Sequence, residues 1–483
     1  MALATAEVTR TGRLVALIRG QITSRVLGRG ARLPSVRALA ASEGVAKSTV
    51  VEAYERLVAE GLVRSRPGAG FFVIGPPERP ALAPPASPVA RAVDPLWIMR
   101  QSLEADPAAL MPGCGWLPES WLPAAAVRRG LRAAARAADR PLVGYATPQG
   151  FAPLRAQLVR RLAERGIEAD PAQLLLVDSG TQAIDLVCRH LLEPGDTVLV
   201  DDPCYFNLLG QLRAHRVRVV GVPMTPSGPD LDAFATSAAA WRPRLYLTNA
   251  GPHNPTGASL TPASAHRLLK LAEAHDIAIV EDDIFADLEP APGAPRLGAL
   301  DGLQRVIQLG SFSKTLSAAV RCGWIAARPD LVGSLTDLKL ATTFGACDLS
   351  ARMVHDLLLD GSYRRHAEGL RAKLAGAMRS TAARLEAAGL RLWCEPRGGL
   401  FLWAELPDGL EASELARRAL AAGVVLAPGP VFSASHGATR HLRFNVAQCA
   451  PPRVFEVLRQ AMGWRAPNLH ASVPFMLRSG DGP

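Results

Sequence analysis

At the start of the chain the apolar positions recur at intervals of three and four. Leu14, Leu17, Ile18, Ile22 and Val26 predict an amphipathic helix with one buried stripe, stopped by Gly28-Arg29-Gly30. Pro34 stands at the start of a short second helix whose buried side is Val36, Leu39 and Ala40, ending near Gly44-Val45. A third runs from about Ala46 to Gly61, with Val50, Ala53, Tyr54, Leu57 and Val58 inward and Lys47, Ser48, Thr49, Glu52 and Arg56 outward. The pattern then changes: 62–66 and 71–74 read as two strands around the turn Pro67-Gly68-Ala69-Gly70. Helices joined by a tight glycine-containing turn and followed by a hairpin predict an α+β winged helix-turn-helix, whose third helix faces the major groove.

Residues 75 to 95 break this pattern with seven prolines among alanines and few charges, which predicts an extended, semi-rigid linker over 76–95. Beyond it, short apolar runs at 174–177, 197–200, 217–220, 245–248, 278–280, 306–309 and 324–326 alternate with helical patterns. That alternation predicts an α/β domain with a large, mainly parallel sheet covered by helices on both faces. A smaller α/β portion follows from about residue 345, with strands at 400–403, 424–426 and 442–446. The expected order is a DNA-binding domain at 1–75, the linker at 76–95, a large domain at 96–465 and a tail, 466–483, without a legible pattern.

Composition narrows the class. With 483 residues, 48% hydrophobic and 20% charged, the chain reads as a globular protein of more than one domain. No apolar run reaches bilayer length, and Glu7, Arg10 and Arg13 interrupt any secretory signal, so no membrane partner and a cytoplasmic location are expected. The seven scattered cysteines form no CxxC pair, which suits reduced thiols, and no metal-ligand spacing is present. The net charge of +10 is uneven: residues 1–75 hold 11 Arg or Lys against 5 Asp or Glu, a net +6 that points to a polyanion.

The candidate chemistry centres on Lys314 in Gly310-Ser311-Phe312-Ser313-Lys314, directly after the buried-strand signal 306–309. A lysine desolvated there is able to form a Schiff base with an aldehyde. Ser179-Gly180-Thr181-Gln182 follows another strand and opens a helix, a ready anion cup. With Tyr205, Asn254-Pro255-Thr256-Gly257, Glu281-Asp282-Asp283 and Arg321 in this order, residues 95–465 resemble the fold-type I, class I/II aminotransferases. That resemblance implies pyridoxal 5'-phosphate on Lys314, with Gly180, Thr181, Gln182, Ser311, Ser313 and Arg321 about its phosphate. It also implies Tyr205 stacked on the ring, Asn254 on the phenolic oxygen, and Asp282, favoured over Asp283, at the pyridine nitrogen. Tyr145 would reach the phosphate of a neighbouring subunit, which requires a homodimer. Arg443, with Arg440 the second candidate, would grip an α-carboxylate. The chain departs at Phe285, where the family has a tyrosine that donates to the phenolic oxygen; a weaker transaminase is the expected consequence.

Residues 10–75 resemble the GntR family of bacterial regulators through Arg32-Leu33-Pro34-Ser35-Val36-Arg37, Ser48-Thr49-Val50 and Glu60-Gly61-Leu62-Val63. The resemblance implies that Arg37, Lys47, Ser48 and Thr49 meet bases or phosphates, with Arg64, Arg66 and the Gly68/Gly70 tip on the adjacent backbone of double-stranded DNA. Ala46 replaces the usual capping serine, and Lys47 an arginine. A GntR-like domain ahead of an aminotransferase-like one is the layout of the MocR subfamily. The expected function is a regulator that senses an amine or amino acid through pyridoxal phosphate. The alternatives are an aminotransferase with an accessory DNA-binding domain, and a DNA-binding protein whose large domain only dimerises.

Overall fold

The computed structural model describes residues 9–23, 26–74 and 99–463, except 101–102, 105, 107, 137–141, 250 and 292. The linker and tail of the sequence reading lie outside the described residues. The chain divides into two compact units, Met1–Ser87 and Pro88–Pro483.

In the first unit α1 (Arg10–Thr23), α2 (Val36–Glu43) and α3 (Lys47–Ala59) enclose a core of Leu14, Ile18, Ile22, Leu39, Val50, Tyr54 and Leu57. Ser35 caps α2 by accepting the Ala38 amide at 3.1 Å, and Gly44 ends it in the left-handed region at φ 62°. The Tyr54 hydroxyl donates to the Pro34 carbonyl at 2.7 Å, which fixes α3 against the start of α2. Strands β1 (Val63–Arg66) and β2 (Gly70–Val73) pair antiparallel, with Arg66 opposite Gly70 across the tip. Gly68 and Gly70, at φ 73° and 102°, supply the backbone that this turn requires. Three apolar assignments change. Val26 falls past the end of α1 and is 73% exposed, and Leu17 is exposed while Val15 is buried. At about 100° per residue, Val15 lies close to the Leu14–Ile18–Ile22 stripe and Leu17 far from it. Val58 likewise lies at the edge of the inward face of α3 and is exposed.

The second unit is built on an eight-stranded sheet, ordered β3-β10-β9-β8-β7-β4-β5-β6. Its strands are β3 (Leu174–Val177), β4 (Thr197–Asp202), β5 (Arg218–Thr225), β6 (Gly228–Pro229), β7 (Leu245–Thr248), β8 (Ala278–Asp282), β9 (Val306–Ser311) and β10 (Gly323–Ala326). The run β9-β8-β7-β4-β5 is parallel, and β10 and β6 are antiparallel to their neighbours. A four-stranded sheet, β11 (Arg391–Leu392), β12 (Phe401–Glu405), β14 (His441–Asn445) and β13 (Ala427–Pro428), forms the smaller portion. The strand expected at 424–426 is displaced: Val424 bridges Leu110 instead, and residues 110–113 pair along that segment. Leu117 thereby joins the core of the smaller portion, so a stretch upstream of the large sheet completes it. Among the described residues no helix is long and apolar enough to cross a membrane.

Candidate cofactor site and duplex-reading face

Parallel strands place their following loops on one edge of the sheet, the usual ligand position in such folds. Tyr205 follows β4, Asn249 and Asn254 follow β7, Asp282 ends β8, and Lys314 follows β9. Glu281, Asp282 and Asp283 alternate in direction, and each finds a different partner. Glu281 accepts the Leu297 and Gly298 amides (3.1 and 3.0 Å), while Asp283 pairs with buried Arg296 at 2.9 Å. Asp282 is left for the site. Burial raises its carboxyl to about 6, against the opposing Ile284 amide at 3.2 Å and the charge of Lys314. Lys314 is lowered to about 8, first by burial and then by the Arg443 cation, while Cys114 and Asp282 oppose the shift.

Around this lysine the backbone comes close at a glycine. A Cβ on Gly115 would sit 3.8 Å from Arg443 Nη2 and 3.9 Å from Lys314 Nζ. Ser179 caps the helix Gly180–Leu191 by accepting the Gln182 amide at 3.1 Å, so the Gly180 and Thr181 amides lack intrahelical acceptors. The Gln182 side chain is engaged elsewhere, accepting the Asp178 amide and donating to Thr343. Ser311 and Ser313 share a hydroxyl contact of 2.9 Å. Arg321 is exposed in the left-handed region at φ 51°, with no ion pair among the described residues. Tyr205 is partly buried against Phe206, its hydroxyl raised to about 12 by burial and then by Asp282. Tyr145 is 87% exposed, its ring on Phe344 at 4.9 Å, so a single chain leaves it facing solvent. Amide donors, hydroxyls and a free arginine fit a phosphate, and a lysine and a carboxylate close together fit an aldehyde-bearing pyridine.

Arg443 is fully buried at 0% exposure. Its Nη1 donates to Asn254 Oδ1 at 2.8 Å and its Nη2 to the Gly113 carbonyl at 2.7 Å. Rings of Phe401 and Phe432 lie 4.4 and 4.7 Å from the guanidinium, Nε has no partner, and the group forms no ion pair among the described residues. Burial lowers it to about 10. Arg440 instead pairs with Asp408 and Glu405 and donates to the Leu406 carbonyl. Asn254 is held by its amide donating to Asn249 Oδ1 at 2.9 Å. Phe285 is buried edge-on against Phe401 at 5.5 Å, so it fills core where a tyrosine would bring a hydroxyl. Sequence reading missed Gly113, Gly115 and Asn249. The two glycines come from a stretch without periodicity that β14 draws in from far along the chain; an asparagine five residues ahead of Asn254 was the only signal for the third.

In the first unit, Arg37, Lys47, Ser48, Arg64 and Arg66 are all exposed, and Thr49 is half-buried. None of the four cations forms an ion pair among the described residues, and Arg66 lies over Phe72 at 4.9 Å. Arg19 and Arg56, by contrast, are held by Glu60 and Glu52. Ala46 is the N-cap of α3 and makes no side-chain capping bond.

The fold and this site define a fold-type I aminotransferase domain carried behind a winged-helix DNA-binding domain. Residues 118–460 match the aminotransferase class I and II family, and residues 10–73 the bacterial regulatory proteins of the gntR family. The chain is 30% identical over 443 residues to the HTH-type transcriptional regulator YdcR of Escherichia coli, covering 89% of this chain and 93% of that one. It is 34% identical over 325 residues to a 2-aminoadipate transaminase of Thermus thermophilus, covering 65% and 80%. The crystal structure of LysN, an alpha-aminoadipate aminotransferase of Thermus thermophilus complexed with N-(5'-phosphopyridoxyl)-L-leucine, aligns with a TM-score of 0.70 at 28% identity, over 78% of this chain and 96% of that one. The chain belongs to the aminotransferase class I and II family and, with its GntR domain, is a DNA-binding transcriptional regulator of MocR-type architecture.

Proposed function

We propose that the large unit holds pyridoxal phosphate on Lys314 and uses it to detect an amino acid, and that occupancy of this site changes how paired winged helices sit on duplex DNA. The observation that carries the reading is a lowered lysine beside Asp282 and a buried, unpaired Arg443. When bound, pyridoxal phosphate supplies an aldehyde that condenses with an amine and a ring that accepts electrons. The chain's part is placement. Gly180, Thr181, Ser311, Ser313 and Arg321 orient the phosphate, with Gln182 contributing by shaping the helix start rather than by its side chain. Tyr205 confines the ring, Asp282 keeps a proton at the pyridine nitrogen, and Asn254 retains its Nδ2 as a donor. Tyr145 of a second copy completes the phosphate end. A buried guanidinium without an acid is costly, and a carboxylate on the ligand removes that cost, which favours an amino acid over a simple amine. In the first unit Arg37, Lys47, Ser48 and Thr49 face the groove, and Arg64, Arg66, Gly68 and Gly70 the flanking backbone.

The test is borohydride reduction of the loaded protein, digestion and mass analysis, with footprinting of the chain's own upstream region in the presence of amino acids. A pyridoxyl label on the Lys314 peptide is expected, with Lys314→Ala still protecting DNA but no longer responding to ligand. A label elsewhere overturns the reading. The nearly complete constellation and the similarity to a transaminase also favour a second reading, amino-acid:2-oxo-acid transamination. Fast multiple turnover to keto acid would support that reading, and Phe285 argues against it.

A further inference from the structure

We infer that Val51 is a specificity-determining residue of the duplex-reading helix, and that it packs on the 5-methyl group of a pyrimidine in the major groove. The inference rests on the first unit binding DNA and goes beyond it, because among the residues expected to read a base only Thr49 carries a methyl group, and it is half-buried. The inward side of α3 is fully committed: Val50, Ala53, Tyr54 and Leu57 are all buried. Val51 points elsewhere and is 38% exposed. At about 100° per residue it lies one turn beyond Lys47 and within about 60° of Ser48, so the three form one continuous patch on the first turns of the helix. The next outward residue is withdrawn from that patch. Glu52 accepts the Thr11 hydroxyl at 3.1 Å and the Arg56 guanidinium at 2.5 Å, so it is drawn toward α1 and its charge is offset.

Charge complementarity identifies the occupant. Arg37, Lys47, Arg64 and Arg66 are exposed on the same small unit and form no ion pair among the described residues, as a polyanion requires. Inside a major groove the only apolar feature on a base edge is the thymine methyl, which 5-methylcytosine reproduces. A valine suits that contact because its branched side chain has one strongly preferred χ1 in a helix and loses little freedom when it docks. Valine is also a poorer helix former than alanine, so local helix stability does not account for it.

The experiment uses the full chain. Duplexes are selected from a random pool, and dissociation constants are then measured with each dT replaced by dU, for the native protein and for Val51→Ala. At one position per half-site, loss of the methyl is expected to weaken native binding about fourfold, the effect of one buried carbon, while Val51→Ala is indifferent at that position. With dC there, 5-methylation should restore native affinity by the same factor, which separates the two sources of the methyl. Val51→Ala raises helix propensity, so loss of fold does not confuse the result. If binding stays sequence-specific but no position shows this methyl dependence, the inference fails and DNA recognition stands; that is also the outcome if Val51 is covered by another copy. If no duplex is selected, the reading beneath it fails as well.

Discussion

Lys314 shows how much one side chain's surroundings do. Burial and Arg443 together lower its amine to about 8, so the neutral, nucleophilic form is abundant near physiological pH. The rate of pyridoxal phosphate loading should therefore rise with a midpoint near pH 8, well below that of an exposed lysine. Asp282→Asn removes a negative charge that favours the ammonium form, so the midpoint should move down; stopped-flow absorbance across pH measures both. The sign for stability follows from the same shift. The unfolded chain holds the lysine proton to higher pH than the folded one, so the cofactor-free protein gains stability as pH rises from about 8 toward the ordinary lysine value. Sequence order was enough to single out Lys314 and to expect its desolvation, but not to name the charges acting on it, because Arg443 and Cys114 lie far from it along the chain. The resemblance favoured Asp282 over Asp283 from spacing alone, and the sequence held no sign that Arg296 pairs with Asp283.

At the level of elements, hydrogen bonds tie the lysine loop to a helix of the smaller portion. Asp287 accepts Arg161 at 2.6 Å, and Arg165 and Tyr363 at 2.5 Å each. Tyr363 opens the helix Ser362–Ala387 and its hydroxyl also meets Thr315, the residue after Lys314, at 2.6 Å. Burial alone would raise the Asp287 carboxyl, but Arg165 and Arg161 hold it below the usual range. Asp287→Ala leaves those cations unpaired and should cost about 3–5 kcal/mol. None of the eight tryptophans lies in residues 1–75, so tryptophan fluorescence during chemical denaturation reports this loss from the large unit alone. The native contribution should fade in acid as Asp287 protonates, its folded pKa lying below the unfolded one. In the first unit the uncapped start of α3 makes the opposite prediction. Ala46→Ser should add about 1 kcal/mol, seen as roughly fivefold slower amide exchange over 47–59 if that unit opens as a whole.

For the whole molecule, the unpaired cations of the first unit predict a steep salt dependence. The slope of log affinity against log salt should fall in magnitude by about one per bound copy in Arg64→Ala, and again in Arg66→Ala, with little change in sequence preference. Titration of duplex across ionic strength measures it. The proposed function assigns ligand response to the other unit, so neither variant should alter amino-acid binding by the protein.

The sequence by itself determined the kinds of element, their order, the motif residues carried on strand ends and the basic character of the first unit. Those features depend on local spacing: a period of two or of 3.6, and a glycine or serine where a strand gives way to a helix. Tertiary structure decided what lies across the sheet. It turned Asp282 toward Lys314 and Asp283 away, brought Gly113 and Gly115 to Arg443, buried that arginine without an acid, and set Val51 outward beside Lys47. Such pairings join residues distant along the chain, and a strand's partner depends on which faces bury together, which no short window of sequence contains.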